Sequence, residues 1–276
     1  MWMAIALLHT GASLSVTSFT VHPSTVIGII GLAALYEWGQ RGGRTHRSGR
    51  ASFFYAGLAT MFFALNGWLH DLSDSYLFSA HMVQHLLLAF AVAPLLVMGL
   101  TADMLRPLLA VRGVGAVAKS VTSPIRAFAL FNVVVAAWHL PPLYNFALAH
   151  HPVHIVQHLM FLTVSVLMWW PVLSPVPELP RLSYPGQMLY LFLMSIPMAI
   201  ISVYIAYADE ILYPMYASAP RVWAITPMND QLIGGLIMWI PGGLYFYTII
   251  SIVFYRWQQR DGVDSRAGAQ VDWVRS

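Results

Sequence analysis

The chain has 276 residues, of which 58% are hydrophobic and only 9% charged, against roughly 25% charged in a soluble globular domain. That balance excludes a soluble domain. It also excludes a nucleic-acid binder, because the 14 basic residues fall in short connections between apolar runs rather than on one patch. Cysteine is absent, which excludes disulfides, thiolate metal sites and cysteine nucleophiles and leaves His, Met, carboxylate and backbone groups for soft-metal chemistry.

Residues 1–22 read as an extracytoplasmic N-terminal segment. Residues 1–21 carry no charged side chain, and the apolar stretch WMAIALL lacks the basic flank and length of a cleaved signal, so it is expected to stay in the mature chain. Seven membrane-spanning helices follow, at about 23–40, 51–69, 78–100, 124–140, 152–172, 187–208 and 230–255. Each approaches the ~20 apolar residues that cross a bilayer. Residues 256–276 form a cytoplasmic tail. Pro and Gly clusters such as HLPP (139–142) and SPVPELP (174–180) punctuate the helix ends. The apolar runs are continuous rather than alternating, which excludes a membrane β-barrel and makes the fold all-α.

Basic residues set the expected orientation. Arg41, Arg44, Arg47 and Arg50 lie in one connection, Arg106, Arg112, Lys119 and Arg126 in another, Arg181 in a third, and Arg256, Arg260, Arg266 and Arg275 in the tail. All fall on one side of a seven-span chain, and only Arg221 falls on the other. The N-terminus is therefore expected outside and the C-terminus in the cytoplasm of a bacterial-type cell membrane. Spans two and three also echo spans four and five. Each pair ends outside in an aromatic-plus-His stretch (WLH, 68–70; WHL, 138–140) and re-enters through HxVQHL, which predicts a parallel pseudo-repeat.

The histidines carry the chemistry. Of eleven, His9, His22 and His46 lie near the start or in the basic loop. The other eight, His70, His81, His85, His139, His150, His151, His154 and His158, fall on the outer side or in the outer half of the bilayer. Positions four apart share a helix face, so HMVQH (81–85) and HIVQH (154–158) each aim two imidazoles one way, at matching depth. His70 and His139 close the preceding helices at that level, and Asp230 opens the seventh span there. Polar groups in hydrocarbon face a cavity, a partner or a ligand, and neutral imidazole is the commonest metal ligand. A single such His is as easily an interfacial residue bonded to a carbonyl, which is the plainer reading of His150 and His151. Gln84 and Gln157 read equally as groups orienting a ring or as inter-helix hydrogen bonds. Met194 and Met198, the glycines at 234, 235, 242 and 243, and Trp169, Trp170, Trp223 and Trp239 read as packing. Asp209 and Glu210 read as a polar helix end.

No nucleophile elbow, phosphate-binding glycine loop or paired catalytic carboxylate is present, so no enzymatic activity is expected. Three metal chemistries fit: a copper-handling protein, including a copper transporter; a bis-His haem protein; and a membrane di-iron-type oxidoreductase, which the orientation opposes because such enzymes carry their histidines on the cytoplasmic side. The stretches HMVQHLLLAFAVAPLLVMG (81–99), WHLPPLYNFALAHHPVHIVQHLMFLTVSVLMWWPVL (138–173), LYPMYA (212–217) and DQLIGGLIMWIPGG (230–243) resemble the CtaG-type family of seven-helix membrane proteins associated with assembly of caa-type cytochrome c oxidase. The resemblance implies a role in maturing a haem–copper oxidase by helping its copper centres acquire metal. Its histidine pairs are His81/His85 and His154/His158, its tryptophan-linked His is His139, and the acid opening the last helix is Asp230. Implied partners are oxidase subunits, an extracytoplasmic copper donor and the lipid bilayer, with a homo-oligomer left open. Gln157 stands where many relatives of this kind carry an acid.

Overall fold

The computed structural model describes residues 19–41 and 49–274; the expectations that fall on 1–18 and 42–48 lie outside the described residues. Every regular element among the described residues is helical. In chain order these are α1 (Pro23–Arg41), α2 (Ala51–Ala64), α3 (Gly67–Ser75), α4 (Phe78–Gly99), α5 (Ala102–Leu109), α6 (Val114–Val121), α7 (Pro124–His139), α8 (Pro141–Ala149), α9 (His151–Leu173), α10 (Tyr184–Ala206), α11 (Pro214–Ser218) and α12 (Pro227–Val274).

Four of them, α4, α9, α10 and the Pro227–Arg260 part of α12, are long and apolar enough to cross a bilayer. The number rises to six where each of two bent pairs acts as one span: α2 with α3, bent by 47°, and α6 with α7, bent by 71°. The expected first span, α1, is not among these helices. Its 19 residues are long enough, but Ser24 and Thr25 at one end and Glu37, Gln40 and Arg41 at the other make it less apolar than those four. The bend between α2 and α3 follows from Gly67, whose φ of +65° is a left-handed conformation that glycine adopts without strain. It turns α3, and His70 with it, over the end of the bundle.

Helix α4 is central: 67% of its most apolar stretch is buried within protein, against 22% for α12. One turn beyond the HMVQH motif it widens into a π-helical turn over Leu88–Val92. Pro94 is the cause we assign, because it has no N–H to give the carbonyl four residues back. That carbonyl, Phe90 O, instead accepts from Tyr245 Oη of α12 at 2.6 Å, and Ala89 O accepts from Trp169 Nε1 of α9 at 2.8 Å. Two aromatic side chains from neighbouring spans therefore satisfy the backbone of the irregular turn and tie three helices together.

Helices α10 and α12 meet closely at Gly235. A Cβ there would lie 2.7 Å from Ala206 Cβ and 2.8 Å from the Ala206 backbone nitrogen, neither of which can swing away. Overpacking of this kind costs about 1–3 kcal/mol. Gly235→Ala is therefore expected to lower the melting temperature of the detergent-purified protein, and an unchanged melting curve would show that the two helices are not held in this contact.

The expected basic connections converge at one end of the bundle. Arg50 Nη1 donates to Leu100 O at 3.0 Å, Arg106 Nε donates to Glu178 Oε1 at 3.0 Å, and Arg181 Nε donates to Ser174 O at 2.6 Å. Since α4 runs from Phe78 to this end, the N-terminal turns of α4 and α9, which hold the paired histidines, lie at the other.

Candidate metal centre

The start of α4 is fixed from far along the chain. Asp230 Oδ2 accepts from the Phe78 amide at 2.7 Å, and its Oδ1 accepts from the Ser79 amide at 3.0 Å and the Ser79 hydroxyl at 2.5 Å. The first amides of a helix lack partners within it, and a carboxylate there also meets the positive end of the helix dipole. An acid in the first turn of α12 thus caps α4 and sets the phase of its histidines. Asp230 is buried and fully engaged in this cap; it joins neither group of potential metal ligands among the described residues.

From this start, His81 and His85 follow at helical spacing, with Nε2 atoms 2.9 Å apart. Two imidazoles binding one ion at about 2.0–2.1 Å each would show that separation at a bond angle near 90°. His154 and His158 on α9 face them: the His81 and His154 rings stack at 5.4 Å between centroids, and His85 and His158 meet edge-on at 5.6 Å. Two groups offer ligand atoms that all lie within 4.8 Å of one another, His81/His85/His158 and Asp74/His81/His154. His81 belongs to both. Asp74 Oδ2 sits 3.6 Å from His154 Nδ1 and 3.4 Å from His70 Nε2, so the centre holds one carboxylate amid imidazoles.

Among the described residues six buried imidazole nitrogens have no hydrogen-bond partner: Nδ1 of His81 and His85, and Nε2 of His22, His139, His154 and His158. Unsatisfied buried polar atoms are rare in folded proteins and call for an explanation. Each becomes a lone pair in the tautomer that carries its proton on the other ring nitrogen, and the hydrogen bond between His81 Nε2 and His85 Nε2 allows this at one of those two Nδ1 atoms at a time. The donor set of nitrogen and a single carboxylate oxygen, without thiolate, fits a divalent or monovalent copper ion as well as zinc or iron.

The family model described as cytochrome c oxidase caa3 assembly factor (Caa3_CtaG) matches residues 32–260, a segment that contains every residue of both groups. The chain belongs to that family. Among curated proteins it is similar to the uncharacterized protein Mb0105 of Mycobacterium bovis, 26% identical over 264 residues, covering 90% of this chain and 40% of the relative. It is also similar to the uncharacterized protein ML1998 of Mycobacterium leprae, 24% identical over 252 residues, covering 86% of this chain and 38% of the relative. The chain thus spans about two fifths of the length of the curated relatives it matches. No solved structure matches it.

Within this member of the caa3 assembly factor family, the expected residues divide by what they touch. His81, His85, His154 and His158 meet in one cluster. His139 is adjacent, its ring 5.9 Å from that of His85, with Nδ1–H donating to Val135 O at 2.6 Å. His70 reaches the cluster through Asp74, and Gln84 orients it: the amide nitrogen of Gln84 bonds Ala64 O at 2.8 Å and His70 Nδ1 at 3.0 Å, while its oxygen accepts from Ser73 Oγ at 3.2 Å. That pattern makes His70 Nδ1 the acceptor and turns Nε2–H toward Asp74. Gln157, the equivalent residue of the second motif, is buried with both amide atoms unpartnered. His150 and His151 lie exposed, and His150 bonds the Phe146 carbonyl at 2.9 Å.

Three groups in the centre escaped the sequence reading. Asp74 lies one helical turn after His70, so the i,i+4 spacing that singled out the histidine pairs applies to it as well. His22, from before α1 and outside the segment matched by the family model, packs edge-on against His70 at 4.2 Å. A group of tyrosines lies beside the centre: Tyr144 Oη bonds Tyr216 Oη at 3.0 Å, Tyr216 Oη donates to Ser73 O at 2.7 Å, and Tyr213 Oη donates to His139 O at 2.9 Å. Two of these tyrosines come from the LYPMYA motif, which gives that motif a structural purpose.

Removal of a group that orients a ligand typically lowers metal affinity 10–100-fold. Gln84→Leu is therefore expected to weaken metal binding by about that factor while Gln157→Leu changes it little, read by competition with a chromophoric chelator. Equal losses in the two variants would refute the difference drawn between them.

Proposed function

We propose that this assembly factor binds copper as cargo at the histidine cluster and passes it to an apo-subunit of a haem–copper cytochrome oxidase. His81, His85 and His158, with Asp74 and His154 alongside, hold the ion; His70, Gln84 and Asp230 position them. The observation that carries the reading is the convergence of His81, His85, His154 and His158, each with one unpartnered nitrogen, beside the Asp74 carboxylate. The family supplies the oxidase, and copper is the cargo that a cysteine-free, imidazole-rich centre in such a family would carry.

The finer topology belongs to the same proposal. The chain crosses a bacterial cell membrane seven times, α1 included, with the basic end in the cytoplasm, and the cluster lies just beneath the outer surface. There it receives copper from an extracytoplasmic donor. The α2–α4 and α7–α9 segments are related as a parallel pseudo-repeat, with His70, His81 and His85 answering His139, His154 and His158. A haem held between His85 and His139 is disfavoured by size, because the cavity that they bound measures only about 20 Å³.

Metal analysis of the purified protein beside a His85→Ala/His158→Ala variant tests the reading. Copper in the wild type and less of it in the variant, by the ion that the cluster holds, is the expected result. Equal copper in both would end it, and a Soret band without copper would replace it with the haem alternative. Because the ligands must be deprotonated, copper is also expected to leave as pH falls.

A further inference from the structure

Below the cluster, on the far side of His85, lies a second place where metal-binding groups meet. A cavity of about 20 Å³ is bounded by His85, His139, Met198 of α10 and Met238 of α12, with Phe131 and Phe161 among its apolar walls. That volume is enough for one water-sized particle. His139 is 3% exposed, and its Nδ1–H is committed to Val135 O, which fixes the tautomer and leaves Nε2 as a lone pair with no partner. Met198 and Met238 are 7% and 2% exposed. The Met198 thioether rests against Gly242, where a Cβ would stand 2.7 Å from its Cε and 3.4 Å from its Sδ, so α12 makes room for it there.

The same two methionines also line a groove of about 610 Å³ between α10 and α12, walled by apolar side chains such as Phe192, Ile240 and Leu244. They therefore stand between the cavity and a lateral opening in the membrane face of the bundle. Imidazole together with thioether, without carboxylate, is a soft donor set that selects Cu(I) over Cu(II) and over harder divalent ions.

We propose that His139 Nε2 and the thioethers of Met198 and Met238 form a second, Cu(I)-selective position, reached from the histidine cluster past His85. Movement between the two positions is ligand exchange: Cu(I)–imidazole bonds break as Cu(I)–thioether and Cu(I)–His139 bonds form, with no change in oxidation state. This rests on the copper reading of the cluster for its source of ions, but the position itself stands on its own donor set.

X-ray absorption at the copper edge, on the full-length detergent-purified protein loaded with Cu(I) under ascorbate, tests it. Sulfur scatterers are expected in the wild type and lost in Met198→Leu/Met238→Leu, with bound copper falling by one equivalent and nitrogen scatterers remaining. Leucine matches methionine closely in volume, and the wild-type spectrum needs no variant. A wild-type spectrum without sulfur, or a sulfur signal that survives the double variant, overturns the proposal. In His81→Ala the sulfur-bound copper is expected to persist. A protein that holds sulfur-bound copper but none dependent on His81, His85 or His158 would refute the cluster reading alone, and the reverse result would refute this one alone.

Discussion

Replacing His81 by Ala is expected to lower copper affinity by at least ~100-fold, more than any other single histidine. Outer-shell changes already cost 10–100-fold, and His81 is a direct candidate ligand that belongs to both groups, His81/His85/His158 and Asp74/His81/His154. His85→Ala removes one member of the first group and leaves the second whole; His154→Ala does the converse. The ordering His81 below His85 and His154 is the specific expectation, measured by chelator competition on purified protein. Three equal affinities would show that the two groups do not share a ligand.

The second large effect is one of stability. Asp230→Ala strips three acceptor contacts from the buried start of α4 and leaves the Phe78 and Ser79 amides without partners. Hydrogen bonds to a charged group contribute about 1.5–3 kcal/mol each and do not add fully, so a loss of about 3 kcal/mol is expected. The loss is expected in the metal-free protein, as a melting temperature lowered by several degrees. That detail separates a cap from a ligand: a ligand's removal would leave the metal-free melting curve where it was and alter only the gain on adding copper. Asp230→Asn, which keeps one acceptor oxygen, is expected to fall between.

Periodicity made the centre's main parts legible, because an i,i+4 histidine pair is a local pattern and two copies at one depth imply a meeting place. The ordered motifs likewise pointed to the family that the match over residues 32–260 establishes. What stayed hidden depended on tertiary placement. Asp74 sits in HDLSDS, which reads as a polar turn until the bend at Gly67 swings α3 over the bundle end. Asp230 reads as a ligand because it lies at the right depth, and only the fold shows its oxygens spent on α4. The first expected span, α1, has polar ends that leave it less apolar than α4, α9, α10 and α12. Met198 reads as packing because its neighbours, His139 and His85, lie on other helices.

The cap on α4 also bears on the order of events during synthesis. Phe78 and Asp230 are 152 positions apart, so the segment carrying HMVQH leaves the ribosome long before the residue that holds its start in place. Until the last helix docks, the amides at Phe78 and Ser79 lack their acceptor and the histidine face lacks its fixed phase. A nascent or truncated chain ending before Asp230 therefore lacks the contact that sets the histidine pair of α4 against that of α9, and the centre is finished only when synthesis is nearly complete.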